Sequence, residues 1–258
     1  DHPLGHNILG NARSLRRFTT QSGLSFTGRY YHPSNAILFV YGNIAFSRIM
    51  MWAERLTADI PSGNVNDSRL APPTYAPHSI TLSRHTHQTH VMIGCVGYPA
   101  GDRRRTGLYL LNNMLGGPGM NSRLNLALRE HSGLVYNVES NLTGYTDTGV
   151  FNIYFGCDAR DANRCIELTH NELRRLCTTP LSTQQLAAAK KQLIGQVGVA
   201  ADNFENTALG MAKTYLHHNT YEGPEALYHR IESLTAKELW EISNELFNKD
   251  NLTTLIYK

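Results

Sequence analysis

The sequence has no run of apolar residues long enough to cross a membrane. Such a span needs about 18 uncharged apolar residues, and the 258-residue chain contains none. Its first residues carry neither the basic nor the apolar stretch of a secretory signal peptide. The excess of basic over acidic residues is also small, because 24 basic and 21 acidic residues leave a formal net charge of only +3. We therefore expect neither a membrane span nor a nucleic-acid surface.

Cysteine is rare and widely spaced. The four cysteines, at positions 95, 157, 165 and 177, show no C-x-x-C spacing and no density typical of a small disulfide-stabilised domain. We therefore interpret them as isolated thiols in the core.

Two stretches of the chain share one pattern. Residues 18–41 and 234–257 align without a gap, and each contains a threonine that can cap a helix, apolar residues at helical spacing, a polar turn ending in asparagine, and a strand-like run. The second copy has residues from about 71 onward ahead of it, whereas the first has only 17. We expect two similar halves, with the front of the first missing. Because helix–turn–strand units are common, coincidence is the alternative.

The rest of the pattern predicts an α+β fold, an antiparallel sheet with helices packed on one face. Residues 43–60 form an amphipathic pattern and residues 61–77 are typical of a linker. The predicted strands are 36–41, 79–83, 89–96, 135–142, 150–156 and 252–257. Helices are predicted at 104–115 and 159–176, and from Ser182, Asn206, Pro224 and Thr235 onward. We accordingly divide the chain at about residue 70, into the tail of a first half (1–70) and a complete second half (71–258).

One long motif carries a family resemblance. Residues 115–124 read LGGPGMNSRL, and residues 128–136 read LREHSGLVY. This order resembles the second-domain signature of the pitrilysin and mitochondrial-processing-peptidase family of zinc metallopeptidases (peptidase M16). In that signature a glycine-rich turn leads into a Ser-Arg-Leu helix and then Arg-Glu-x-x-Gly-Leu-x-Tyr. Residues 3–10, 31–35 and 145–151 are similar to the same family, so the match runs in order over nearly the whole chain.

The resemblance implies two α+β halves and a zinc ion held by the first. The family's metal motif is H-x-x-E-H with a further glutamate downstream, and the motif glutamate acts as general base. Neither H-x-x-E-H nor H-E-x-x-H occurs in this sequence. The resemblance therefore places zinc in the intact parent, ahead of residues 3–5. It implies no cofactor in this chain, which we expect to be inactive alone.

Arg129 and Tyr136 are the candidate catalytic residues. They match the family's Arg/Tyr pair, which reaches from the second half toward the substrate. A guanidinium and a phenol can both donate hydrogen bonds to a peptide carbonyl and to the oxyanion that develops during attack. The alternative is a surface ion pair at Arg129 and a strand-face packing role for Tyr136.

The glycine-rich turn at Gly116, Gly117 and Gly119 is the candidate substrate-binding segment. It lacks the Gly-Lys-Ser/Thr ending of a phosphate-binding loop. We expect a turn with positive backbone angles, and the family resemblance implies substrate handling there.

His85, His87 and His90 are the alternative metal-binding candidate. On a strand the first two would share one face and the third would point to the other, so joint chelation would need a kink. We therefore favour no metal site in this segment.

The function these residues predict is that of the C-terminal part of a zinc-dependent endopeptidase. This part would close over a peptide substrate and supply the Arg/Tyr pair. The expected partners are the peptide and the missing N-terminal half, with a homo- or heterodimer also compatible. The alternative is a non-catalytic partner subunit of a heterodimeric peptidase, since the family includes paired subunits of which one holds zinc.

Overall fold

A computed structural model of the protein describes residues 2–63, 70–84, 86–220 and 223–258. The backbone forms two compact units. The first comprises Asp1–Pro72 and Val199–Glu222, and the second comprises Pro73–Gly198 and Gly223–Lys258. The structure does not test the predicted division at about residue 70, which remains a prediction. Within the described ranges, no helix has both the length and the apolar content needed to span a membrane.

The second unit contains a five-stranded sheet. Its strands are β1 (Ser79–Leu82), β2 (Thr89–Gly97), β3 (Val135–Gly144), β4 (Gly149–Cys157) and β5 (Thr253–Tyr257). Their order is β1-β5-β2-β4-β3. All neighbours pair antiparallel except β1 and β5, which are parallel. The sheet and the predicted strands of the second half are thereby confirmed.

One face of this sheet is covered by helices, as predicted. Buried residues alternate with more exposed ones along β2 and β4, which is the pattern of a sheet covered on one side. The helices of the unit are α4 (Arg105–Gly116), a π-helical segment (Asn125–Glu130), α5 (Ala162–Thr178), α6 (Thr183–Ala201), α8 (Pro224–Ser233) and α9 (Ala236–Leu246). A π-helix has hydrogen bonds five residues apart and is rare outside single turns.

The hydrophobic core lies between the covered face and these helices. Fully buried side chains come from β2, α4, the π-helical region, β4 and α5 and include Ile93, Leu108, Leu111, Leu115, Leu124, Leu128, Phe151, Phe155 and Leu173. Phe151 also packs on Phe247, with ring centroids 4.9 Å apart. Leu124 and Leu128, four residues apart, face this core. The helical segment that carries Arg129 is therefore fixed against the sheet.

The first unit contains α1 (Ala12–Leu15), α2 (Thr20–Tyr30), α3 (Phe46–Thr57) and α7 (Phe204–His218). Among its described residues only His32 is buried. The His32 ring bonds the backbone carbonyl of Arg29 at 3.0 Å and the hydroxyl of Ser34 at 2.9 Å. Large apolar side chains such as Met51 and Leu56 are exposed at 57% and 71%. This unit therefore has little core of its own.

The helix and turn of the predicted repeat are confirmed in both copies. Helices α2 and α9 begin at the same place relative to their capping threonines, Thr19 and Thr235. In each copy the threonine Oγ1 accepts a hydrogen bond at 3.2 Å from the backbone N–H three residues later. The following 3-10 turns, Pro33–Asn35 and Lys249–Asn251, also correspond position by position. A shared local pattern has therefore produced the same local structure twice.

The strand predicted at residues 36–41 is wrong in this structure, because that segment has no strand conformation. Its counterpart β5 is held on both sides, by β1 and by β2. Residues 36–41 have no neighbouring strand within the described part of the chain. A strand needs such a partner for its backbone hydrogen bonds, so its sequence pattern alone does not form one.

A polar cluster ties the start of α4 to α9. The Arg104 guanidinium contacts Asp102 at 2.7 Å and Glu245 at 3.0 Å, and lies 4.2 Å from the centre of the Tyr98 ring. The Tyr98 hydroxyl donates to Glu245 at 2.7 Å. Hydrogen bonds from Arg104 hold the pKa of Asp102 below its ordinary value.

Replacing Asp102 with asparagine is expected to lower the free energy of unfolding by about 0.5–1 kcal/mol at neutral pH, since the Arg104 side chain of the ion pair is 51% exposed. A depressed carboxyl pKa stabilises the fold above the unfolded-state pKa, about 3.9, and that contribution disappears as pH falls through the folded-state pKa. Urea unfolding of both proteins should show an equal difference at pH 7 and pH 5 and a smaller one at pH 3. If the difference in free energy of unfolding were as large at pH 3 as at pH 7, it would not arise from the ionised Asp102 carboxylate.

Candidate functional site

Arg129 lies near the end of the π-helical segment. The His131 N–H donates to the Leu126 carbonyl at 2.9 Å, a bond spanning five residues. The Arg129 side chain is 41% exposed, and its Nε lies 3.7 Å from the Glu130 carboxylate. An exposed pair of this kind contributes about 0–1 kcal/mol. The surface ion pair of the alternative interpretation is therefore present, but it leaves the guanidinium accessible.

A tight turn then reverses the chain. Gly133 has φ +62°, and its N–H donates to the Arg129 carbonyl at 2.8 Å. The Leu134 N–H donates to the Leu128 carbonyl at 2.9 Å. A glycine in the left-handed region that bonds back to the last helical turn is a common helix ending. The turn therefore fixes the backbone of Arg129 directly before β3.

Tyr136 lies on a β-bulge at the start of β3. Val135 pairs with Cys157 and Val138 pairs with Phe155, so three steps on β3 match two on β4. One extra residue therefore interrupts the alternation, and both Tyr136 and Asn137 are exposed. The Tyr136 side chain is 87% exposed, so it does not pack on the sheet.

Arg129 and Tyr136 thus belong to one helix–turn–strand segment and both are accessible. Within the described ranges, no hydrogen bond joins their side chains. Because β3 is an edge strand of the sheet that the described residues form, the bulge lies where a second chain could approach. Their roles toward a substrate remain a prediction.

The glycine-rich turn after α4 does not have the positive backbone angles expected. Gly117 has φ −66°, and the described glycines with positive φ are Gly10, Gly42 and Gly133. A Cβ on Gly119 would first meet the ends of the flexible Asn121 and Gln192 side chains, which can move aside. Lack of space explains Gly116, because a Cβ there would lie 2.6 Å from the Ser140 backbone nitrogen.

Gly117 is restricted in the same way, because a Cβ there would lie 2.6 Å from the Asn113 carbonyl oxygen. The turn thus brings α4 close to β3 and α6. A role of Gly116, Gly117 and Gly119 in substrate binding remains a prediction.

Buried polar groups near this turn were not identified from the sequence. The Ser140 hydroxyl donates to the Asn112 carbonyl at 2.8 Å and so joins β3 to α4. The Asn112 Oδ1 and the Ser122 hydroxyl are buried and have no hydrogen-bond partner among the described residues. Such atoms are uncommon in folded proteins. In the sequence, such buried polar groups are indicated only by single polar residues inside apolar helical patterns, which is a weak signal.

The residues described here do not fit a zinc ion. In these ranges no three His, Cys, Asp or Glu side chains are grouped so that they could hold a metal. His85 lies outside the described residues. His87 is exposed, and the Nδ1 of His90 lies 2.8 Å from the Tyr154 hydroxyl.

The cysteines are free thiols, as predicted. Cys95, Cys157 and Cys165 are buried and Cys177 is half-buried. Burial raises the pKa of Cys95 and Cys165 to about 12. Since the thiolate is the nucleophilic form, these side chains are unsuited to nucleophilic chemistry.

Comparison with known proteins gives a consistent family assignment. Residues 17–193 match the family model described as the peptidase M16 inactive domain. An uncharacterized zinc protease of Rickettsia felis is 30% identical over 99% of this chain and 61% of its own length. An uncharacterized zinc protease of Bacillus subtilis is 27% identical, over 99% of this chain and 62% of its own length.

Solved structures share the fold. A peptidase M16 inactive domain from Pseudomonas fluorescens matches with a TM-score of 0.90 at 22% identity, over 99% of this chain and 61% of that one. A chain of complex III2 from Candida albicans matches with a TM-score of 0.84 at 13% identity, over 98% of this chain and 62% of that one. At these identities the likeness shows the fold alone.

The fold and the matched segment are both those of a peptidase M16 domain. The chain belongs to the peptidase M16 family, through the domain described as inactive. It spans about three fifths of the length of the curated relatives it matches.

Proposed function

We propose that this chain is the C-terminal part of a zinc-dependent endopeptidase and acts on the substrate side of its active site. Arg129 and Tyr136 would bind the peptide, and residues ahead of this chain would hold the zinc. Zinc would supply the activated water in the intact parent. The names of the relatives, uncharacterized zinc proteases, support a protease parent.

The chemistry assigned to this chain is hydrogen-bond donation. The Arg129 guanidinium can donate hydrogen bonds to a peptide carbonyl oxygen, and the Tyr136 phenol can donate one more. Donors aimed at an oxygen that becomes negative during attack stabilise the transition state more than the ground state. The pair would therefore lower the barrier in addition to orienting the substrate.

The exposure of Tyr136 at the bulge is the observation that carries the proposal. A tyrosine that is 87% exposed on an edge strand contributes little burial to stability. Bulges are over-represented next to active sites, where they redirect a side chain. Arg129, four residues before the turn glycine Gly133, is anchored beside it through its carbonyl.

The first unit supports the missing N-terminal half as a partner. Residues 37–41 correspond to β5, and their side chains Leu38 and Tyr41 are exposed at 59% and 55%. We infer that in the parent this segment becomes a strand between two neighbours contributed by the preceding residues. The predicted division at about residue 70 would follow.

The experiment is metal content and peptide cleavage of the longer protein, before and after dialysis against a chelator. We expect about one zinc per chain and cleavage of unfolded peptides that is lost on chelation and restored by zinc. A folded parent that holds no zinc and cleaves no peptide would overturn the endopeptidase proposal.

The same measurement decides the second candidate, a non-catalytic partner subunit of a heterodimeric peptidase. The description of the matched domain as inactive fits this candidate as well as the first one. It predicts a zinc-free parent that raises the peptidase activity of a second, zinc-bearing chain. A zinc-bearing parent that cleaves peptides alone would exclude it.

A further inference from the structure

A cavity lies on the second unit between the π-helical segment and α5. Its volume is about 580 Å³, within the range of small-ligand pockets. Its apolar wall comes from Leu126, Ala127 and Leu168, and its charged groups are Arg123, Glu172 and Arg175. An apolar wall with a few convergent polar groups is the usual composition of a ligand site.

Two of the three charged side chains in this cavity form an ion pair, and the third does not. Glu172 is buried and accepts a hydrogen bond from Arg175 at 2.5 Å, so these two charges neutralise each other. Arg123 makes no hydrogen bond or ion pair with any described residue. Burial lowers the pKa of Arg123, although the nearby Glu172 charge acts in the opposite direction. A half-buried guanidinium is thus left with unused donors.

We propose that this cavity binds the terminal carboxylate of a peptide, with Arg123 as its ionic partner and the last side chain against the wall of Leu126, Ala127 and Leu168. A guanidinium presents two parallel donors that match the two carboxylate oxygens. The apolar wall fits an aliphatic terminal side chain.

The charge balance favours a carboxylate over a phosphate. Arg123 and Arg175 together with Glu172 carry one net positive charge, which matches a monoanion. A phosphate dianion would place its second charge near the Glu172 carboxylate without a second unpaired cation. His131 also lines the cavity.

The cavity is separate from the candidate catalytic pair. Neither Arg129 nor Tyr136 is among the residues that line it. The proposal therefore does not depend on the proposed function, and binding can be measured without catalysis.

The test is calorimetric titration of the protein with four probes. N-acetyl-alanyl-leucine carries the terminal carboxylate and the aliphatic side chain, and its C-terminal amide lacks only the charge. Isovalerate carries the acid without peptide bonds, and inorganic phosphate is the competing anion. We expect the acid to bind with a Kd below about 1 mM, and each other probe to bind at least about tenfold more weakly.

Two variants test the site itself. Arg123→Gln should weaken binding of the acid at least about tenfold by removing the charged partner. Ala127→Met, which fills the cavity without changing charge, should weaken it as well. Arg164→Gln is the matched control. Arg164 is exposed on α5, the helix that forms the other wall of the cavity, but it does not line the cavity itself. Equal thermal unfolding midpoints of the variants and the wild-type protein would show that the variants are folded.

Each result decides the proposal. An amide that binds as tightly as the acid would overturn the carboxylate assignment, and tight phosphate binding would make this a general anion site. Isovalerate as tight as the peptide would remove the peptide from the proposal. No binding of the acid, or equal losses in Arg123→Gln and Arg164→Gln, would overturn the site.

Discussion

Replacing Tyr136 with phenylalanine in the longer protein is expected to lower kcat for peptide cleavage by about 10²- to 10³-fold, the usual effect of removing one donor from a developing oxyanion. The substitution removes only the phenol hydroxyl. Because the side chain is 87% exposed, the free energy of unfolding should be unchanged. Steady-state kinetics on an unfolded peptide, with the wild-type protein in parallel, measures the effect.

The division between kcat and KM makes this result informative. Loss of an interaction made only in the transition state lowers kcat and kcat/KM equally, whereas loss of ground-state binding raises KM. Tyr109→Phe is the matched control, since Tyr109 lies on α4 and is 40% exposed. Equal kcat values for Tyr136→Phe and wild type would remove Tyr136 from the chemistry.

Replacing Gly116 with alanine is expected to destabilise the protein by about 3 kcal/mol, the upper part of the range for overpacking a buried site. The new Cβ would lie 2.6 Å from the Ser140 backbone nitrogen. That atom is in β3, where backbone cannot move without disturbing the sheet. Urea or thermal unfolding of the chain measures the loss.

Gly195→Ala provides the control for the same chemical change. A Cβ at Gly195, within α6, would meet no atom within 4 Å. Alanine is favoured over glycine in a helix by about 0.5–1 kcal/mol, so this variant should be neutral or more stable. Equal stabilities of the two variants would contradict the packing role of Gly116.

The second unit was the predictable part of the fold. Alternating apolar residues predicted β2 and β4, and capping patterns located α6 and α9. Ser182 and Gln185 form the predicted reciprocal cap, with hydrogen bonds of 2.9 Å and 3.2 Å. These signals are local, and each local preference agrees with the surrounding packing.

The errors concern features that depend on distant partners. Residues 36–41 have a strand pattern but form no strand, because the pattern contains no information about its neighbours. Gly116 is a glycine because Ser140 approaches it closely, and that contact is not visible in the local sequence. The spacing of apolar residues also predicted a strand through Tyr136 but not the bulge that exposes it.

The candidate site was predictable only in part. Motif resemblance identified Arg129 and Tyr136, but the turn between them at Gly133 was recognised only in the structure. The cavity around Arg123 was not foreseen, since α5 contributes Leu168, Glu172 and Arg175 from about 45 residues further along the chain. Its recognition required the three-dimensional arrangement.

The most direct test is the double variant Arg129→Ala, Tyr136→Phe in the longer protein, with zinc content and peptide cleavage measured on the same samples. We predict unchanged zinc content and unchanged unfolding, together with cleavage reduced by at least about 10²-fold. Full cleavage by a folded, zinc-loaded double variant would contradict the assignment of this chain to the substrate side of a zinc endopeptidase.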